Sequence, residues 1–337
     1  MTRRSILEFQ APNTFDSKLA VWGQKQALHG FWNADHKAQI ETLGLSQYLL
    51  IWAPQIAFEH LEKLWDDLEL YAYQNYCHQS ATIAGHTAVL VQTSASTEEL
   101  KTKLLRSKSE LDAVILGNLP DLDTPGLLVM DMDSTTIQIE CIDEIARLAG
   151  VGEKVSAVTA AAMRGEIDFE QSLRQRVALL EGAPESILQE VANNMPLMPG
   201  LELLLEALQQ HGWKTAIASG GFTYFAKALQ QAHGFDFVYA NELEIDQGKL
   251  SGKVQGDVVD AKAKATALAK WATQCEIPNS HTVAVGDGAN DLLMMQTAGL
   301  GIAIHAKPLV VEQAQAAVRH SDLEAVLLIL SAGTLVN

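Results

Sequence analysis

The alternation of apolar and polar positions divides the chain into two regions of different pattern. In the first, Tyr48 to Trp52 and Thr87 to Gln92 are short apolar runs of strand type. Ile56 to Leu70 and Thr97 to Leu111 carry apolar residues at helical spacing. A small α+β domain is predicted over residues 1–117. From Gly117 to Gly126 the chain is a run of turn-formers and prolines, and the domain boundary is placed there. Beyond it, Leu127 to Asp131, Lys214 to Ser219, Phe237 to Asn241, Thr282 to Gly286 and Gly301 to Ile304 read as five buried strands separated by longer helical stretches. That order is the pattern of a parallel sheet covered by helices. Glu242 to Lys253 reads as an added hairpin around Asp246-Gln247-Gly248.

Residues 132–213 separate the first two strands, far more than the roughly dozen residues a crossover requires. Helical patterns from Ile142 to Asn193 fill this interval, so an inserted cap over about residues 141–196 is expected. The apolar stretch Ala325 to Val336 is too short to span a bilayer and contains Ser331 and Gly333, so it reads as a buried terminal helix. The fold class expected is α/β. A doubly wound parallel-sheet domain with an inserted helical cap occupies residues 126–337, and the small α+β domain precedes it.

Composition narrows the function. With 48% hydrophobic and 19% charged residues the chain is built to fold. A formal charge of -17 argues against nonspecific binding to nucleic acid or to an anionic membrane surface, since both are polyanions. The same charge repels a phosphorylated substrate, so a phosphate site here must be a locally positive pocket of lysine, backbone N–H groups or a metal. Cys77, Cys141 and Cys275 match no metal-ligand spacing and cannot all pair, which fits reduced thiols in a cytosol. Met1-Thr2-Arg3-Arg4 is basic, but no apolar run of signal-peptide type follows before Gln10 and Pro12, and a cytoplasmic location is expected.

The chemistry concentrates where strands end. Asp131-Met132-Asp133-Ser134-Thr135-Thr136 follows the apolar strand Leu127-Leu128-Val129-Met130, at the carboxyl end where open α/β sheets bind ligands. A lone Asp-x-Asp is as well explained by a solvated turn with capping residues. Ser219-Gly220-Gly221 ends the second strand with a hydroxyl and two glycines whose N–H groups can approach a phosphate, although alone it is only a turn. Gly286-Asp287-Gly288-Ala289-Asn290-Asp291 ends the fourth strand and adds carboxylates for a hard cation; calcium binding or plain turn chemistry competes. Lys264 lies on the helical segment Asp260 to Trp271, where a solvated surface lysine is the ordinary reading.

Taken together these segments resemble the haloacid-dehalogenase-like hydrolases, and within them the bacterial phosphoserine phosphatases. The resemblance runs from about Pro125 to the C-terminus. It adds Glu140-Cys141-Ile142-Asp143-Glu144, Met163-Arg164-Gly165, Arg174-Gln175-Arg176-Val177 and Phe222 to the segments above. It implies hydrolysis of O-phospho-L-serine through an aspartyl-phosphate, the last step of serine biosynthesis. Asp131 is the implied nucleophile, and Asp133 the group that protonates the departing serine oxygen and then takes a proton from water. Magnesium, or manganese, which also suits oxygen ligands, is implied on Asp131, Asp287 and the backbone carbonyl of Asp133. Ser219, Gly220, Lys264 and Asn290 are implied around the phosphoryl oxygens, with Asp291 positioning Lys264 or supporting the metal.

Substrate choice is assigned to the cap, where Glu140 meets the ammonium and Arg176 grips the carboxylate of phosphoserine. As plain sequence, both are equally exposed charges on amphipathic helices, the reading favoured for Arg174. Met163 and Phe169 stand between closing over the substrate and packing the cap. Two other functions share these residues: a phosphotransferase passing the phosphoryl group to another alcohol, and a catalytically silent amino-acid sensor. The first domain carries no catalytic motif, and its His29, His36, His60, His78 and His86 lack metal-ligand spacing. Analogy with longer phosphoserine phosphatases assigns it dimerisation or serine feedback.

Overall fold

The structure, a computed structural model, describes residues 47–70, 75–83, 85–117 and 119–336. The expectations on Met1 to Arg4, His29 and His36 lie outside these residues, as does the side chain of His78. The described chain forms two compact units, one of residues 47–123 with 316–336 and one of residues 124–315.

The first unit is a four-stranded sheet in the order β2-β3-β1-β4, with β1 Gln47–Ala53, β2 Asn75–Ile83, β3 His86–Thr93 and β4 Asp112–Leu116. Its paired strands are antiparallel. Helices α1, Phe58–Asp67, and α2, Thr97–Arg106, connect them. Leu49 and Ile51 of β1 pack with Leu61, Leu64 and Trp65 of α1 in one apolar core, while the alternate residue Trp52 donates its indole N–H to Ser321 at 3.0 Å. β1 is therefore covered on both faces, which explains its unbroken apolar run. α2 begins at a reciprocal cap between Ser96 and Glu99. Ala316–Val318 and the last helix, Glu324–Val336, belong to this unit. His60 is exposed, and His86 is buried with its Nε2 3.6 Å from Glu324.

One expectation changes here, and two strands appear that the sequence pattern does not announce. The helix read to Leu111 ends at Arg106, because Ser107 adopts an extended backbone (ψ 138°) and donates its hydroxyl to Asp67 at 2.7 Å. The residues that follow form β4. Asn75–Ile83 is a strand whose sequence, NYCHQSATI, offers too few apolar residues to announce one, consistent with its place at the sheet edge. Ala316–Val318 was too short to be legible as a strand.

The second unit carries six strands in the order β10-β9-β5-β6-β7-β8: β5 Leu127–Met130, β6 Lys214–Phe222, β7 Phe237–Asp246, β8 Lys249–Gln255, β9 Thr282–Gly286 and β10 Leu300–Ile304. All pairings are parallel except the β7–β8 hairpin. The strand and hairpin read separately over Phe237 to Lys253 are one continuous β7 turning into β8. From β5 the chain winds outward through β6 and β7, then returns to β9 and β10 on the other side. The winding reverses beside β5, and the crevice at its carboxyl end is the ligand position of such sheets.

Helices α3 Cys141–Leu148, α4 Gly152–Met163, α5 Phe169–Ala178 and α6 Ser186–Ala192 form the insertion between β5 and β6. An isolated antiparallel bridge between Ile137 and Leu197 draws its two ends together. The N–H groups of Gln138 and Met198 donate to Pro196 and Thr136, each at 2.9 Å. α7 Leu201–Gln210, α8 Thr223–His233, α9 Ala261–Gln274, α10 Leu292–Thr297 and α11 Pro308–Gln313 complete the unit. Among the described residues no helix is long and apolar enough to cross a membrane.

Candidate active site

The loops after β5, β9 and β10, the end of β6 and the inserted helices line one cavity of about 460 Å³. β5 ends at Met130, so Asp131 stands one residue past the strand. Its N–H still donates to Val285 of β9 at 2.9 Å. Asp131 Oδ1 accepts the Met132 N–H at 2.8 Å, and the Thr136 hydroxyl donates to the Asp131 carbonyl at 2.5 Å. The N–H groups of Thr135, Thr136 and Ile137 all turn back to the Met132 carbonyl, with Ser134 in the left-handed region (φ 56°). This tight turn keeps Asp133 on the same cavity as Asp131 although the chain has left the strand.

Asp133 opens to the cavity and accepts the Cys141 N–H at 3.2 Å. Desolvation first, then the charges of Glu140 and Asp131, push its carboxyl up to about 8, the protonation state a general acid needs near neutrality. Lys264 is fully buried on α9, with Nζ 2.9 Å from Asp131 and 2.7 Å from Asp291. Burial alone would lower its pKa, but these two carboxylates outweigh it and the amine is held above its ordinary value. Its ordinary reading as a solvated surface lysine is overturned.

Asp131, Asp287 and Asp291 bring carboxylate oxygens within 4.8 Å of one another. Desolvation and mutual repulsion raise Asp287 to about 7 and Asp291 to about 6. Three carboxylates around one lysine are short of positive charge, and an all-oxygen donor set suits a hard divalent cation. The Asp133 carboxylate is not in this cluster. Asp291 gives Oδ1 to Lys264 and Oδ2 to the Gly288 N–H at 3.0 Å, which suits it to holding the lysine and the β9 loop. Asp287 accepts the Thr135 hydroxyl at 3.2 Å.

Ser219 is buried near the end of β6, its hydroxyl accepting the Gly221 N–H at 2.9 Å. A Cβ at Gly221 would lie 2.7 Å from Asp133 Oδ2, and one at Gly220 2.7 Å from the tip of Phe169. A side chain at Gly221 would therefore displace the Asp133 carboxylate, whereas one at Gly220 would press only on the tip of the Phe169 ring. Asn290 lines the cavity from the loop after β9.

Glu140 accepts the Ser134 hydroxyl at 2.8 Å; desolvation outweighs that bond and the nearby Arg176, so its pKa is raised. Burial lowers the pKa of Arg176 against the opposing charges of Asp143, Glu140 and Asp133. Its Nε is buried with no hydrogen-bond partner. Arg174 instead pairs at the surface with Glu170 at 2.8 Å. Met163 lines the cavity and is 66% exposed, so it is not helix-packing core. The cavity thus gathers Asp131, Asp133, Glu140, Arg176, Ser219, Gly220, Asp287 and Asn290, with Lys264 and Asp291 directly behind Asp131.

Sequence reasoning missed Asp143, Lys307 and Asn241. Asp143 shares the first turn of α3 next to Glu140, a spacing that was readable. Lys307 follows β10, the strand end left without an assignment. Asn241 sits within β7, donates to the Gly220 carbonyl at 2.7 Å and accepts the Val259 N–H at 2.8 Å; no local pattern marks it.

A model of the haloacid dehalogenase-like hydrolase family matches residues 125–299, more than half of the chain. The phosphoserine phosphatase of Haemophilus influenzae is 60% identical over 223 residues, covering 66% of this chain and 71% of that one. The phosphoserine phosphatase of Vibrio cholerae is 57% identical over 223 residues, 66% of this chain and 68% of that one. A crystal structure of a probable phosphoserine phosphatase from Vibrio cholerae superposes with a TM-score of 0.74 at 46% identity, covering 86% of this chain and 87% of that one. A phospho-aspartyl intermediate analogue of phosphoserine phosphatase gives a TM-score of 0.58 at 41% identity, over 60% of this chain and 98% of that one. With these residues on these strand ends, the chain belongs to the haloacid dehalogenase-like hydrolases.

Proposed function

We propose that the chain hydrolyses O-phospho-L-serine to L-serine and phosphate through an aspartyl-phosphate on Asp131. The carrying observation is the meeting, in one cavity, of phosphoryl-transfer carboxylates with an enclosed guanidinium whose Nε has no partner. Asp131 attacks phosphorus in line, held by its backbone bond to Val285 and by Lys264. Asp133, which retains its proton, gives it to the departing serine oxygen and later takes one from the water that opens the acyl phosphate. Lys264, Ser219 and the N–H group of Gly220 face the charge of the transferring group, with Asn290 beside them. Asp131, Asp287 and the Asp133 carbonyl would hold a divalent cation, magnesium in this proposal, whose charge would offset the repulsion between carboxylate and phosphate.

Glu140 takes the substrate ammonium and Arg176 its carboxylate, a bidentate contact that a simple alkyl phosphate lacks. Phe169, pressed on Gly220, and Met163 close the cap side of the site. The role belongs to the last step of serine biosynthesis in a cytoplasm, in keeping with free Cys141 and Cys275. The residues before the phosphatase domain are assigned to dimerisation or serine feedback. Phosphate release from purified protein with magnesium tests the reaction, comparing L-phosphoserine with phosphothreonine, a sugar phosphate and an aryl phosphate. Chelator-sensitive preference for phosphoserine is expected; equal turnover of all four would leave the chemistry and remove the specificity.

A further inference from the structure

The cavity is lined by five carboxylates, Asp131, Asp133, Glu140, Asp143 and Asp287, and among the described residues by two cations, Arg176 and Lys307. Arg176 faces Asp143, Glu140 and Asp133, and Lys264 behind the wall is paired with Asp131 and Asp291. Lys307 enters none of the ion pairs or side-chain hydrogen bonds found among the described residues. It is the cation of this wall that remains uncommitted, and the reaction scheme above leaves it unused.

Its backbone is nonetheless fixed. The chain leaves β10 through His305 in the left-handed region (φ 46°), and Lys307 then caps α11. Its carbonyl accepts the N–H groups of Val310 and Val311 at 2.9 and 3.0 Å. Lys307 itself is exposed, as is the neighbouring Leu309, and both line the cavity, so this is its rim. A phosphomonoester dianion approaching a chain of net charge -17 is repelled overall. A fixed cation at the entrance of an acidic cavity reverses that field locally, at the range where it governs capture.

We infer that Lys307 is a docking residue for the phosphate dianion, acting on substrate capture and not on bond cleavage. This rests on the phosphatase reading above. Lys307→Met is expected to lower kcat/KM for phosphoserine about tenfold at low ionic strength, with kcat unchanged. The gap narrows as salt shortens the screening length to about 8 Å at 0.15 M. Lys307→Arg restores the original value, and thermal melting of both variants matches the parent, since the side chain is exposed. An unchanged kcat/KM at low salt, or a deficit that salt does not diminish, overturns the inference.

A second readout does not depend on turnover: inorganic phosphate titrated calorimetrically into the magnesium-loaded protein. About tenfold weaker binding by Lys307→Met is expected at low salt. Equal affinity of parent and variant, or no phosphate binding by the parent, overturns it. A protein that hydrolyses no phosphomonoester yet binds phosphate in a Lys307-dependent way would sink the proposed reaction and leave this inference standing.

Discussion

An enclosed guanidinium with a buried, unpartnered Nε is costly unless something completes it, since an unsatisfied buried donor carries a desolvation penalty of about 1–3 kcal/mol. Under the proposed function, the completing group at Arg176 is the substrate carboxylate. Arg176→Ala is therefore expected to raise KM for phosphoserine about 50-fold while leaving KM for an aryl phosphate nearly unchanged. Steady-state kinetics on both substrates checks this, and equal effects would detach Arg176 from specificity. The two nearby arginines differ in their surroundings: Arg174 spends its charge on Glu170 at the surface, whereas Arg176 lines the cavity. In sequence they were separable only through the resemblance, because helical spacing gives the face a residue occupies and not what the opposite element presents to it. Lys264 makes the same point. A lysine at 0% exposure violates the usual distribution of charge, and only the two carboxylates that meet it explain its place.

At the scale of elements, the site is a property of where strands stop. β5, β6 and β9 were legible as apolar runs closed by small or acidic residues; Ser219 lies near the end of β6, and Asp131 and Asp287 follow directly on β5 and β9. The same rule applied to β10 would have led to Lys307. Legibility failed where tertiary context decides: β2 has a polar edge-strand sequence, and Asn241 braces the Gly220 loop from the middle of a neighbouring strand. The glycines of the β6 loop are read with more resolution in the structure than in the sequence. At Gly221 an added methyl would strike the Asp133 carboxylate and Met132 at 2.7 Å, whereas at Gly220 it would meet the far end of Phe169. Gly221→Ala is thus expected to cut kcat about 100-fold by displacing the Asp133 carboxylate, the proposed acid, the scale of loss that a 1 Å misplacement produces. Gly220→Ala, meeting a ring that can swing, should cost less in kcat and more in KM. The reverse order in stopped-assay kinetics would contradict this geometry.

For the molecule as a whole, the composition of the first unit matters more than its size. Residues 316–336 return to it from the far end of the chain. Ser321 receives the Trp52 indole N–H, and the buried Asp112 carboxylate accepts N–H groups of Arg319, His320 and Ser321. Val326, Leu327, Leu328, Ile329 and Leu330 are at most 1% exposed. At about 1.5–3 kcal/mol for each such side chain, removing the last helix forfeits on the order of 10 kcal/mol, as much as a typical domain's whole stability. A chain ending at residue 315 is expected to lose the melting transition of the first unit and to bind a hydrophobic dye, while the contiguous second unit still melts cooperatively. Retention of both transitions in calorimetry would refute this.

The same return of the chain sets a timetable during synthesis. Domains generally fold as units while the ribosome extends the chain at about 5–20 residues per second. Residues 124–315 are complete before the ribosome has made residues 316–336, so the unit holding Asp131 can close while the earlier one still waits for its last helix. What is translated first is finished last. In that interval the uncovered face of β1, the longest unbroken apolar stretch of the first unit's sheet, is the segment of the nascent chain that a chaperone would be expected to shield.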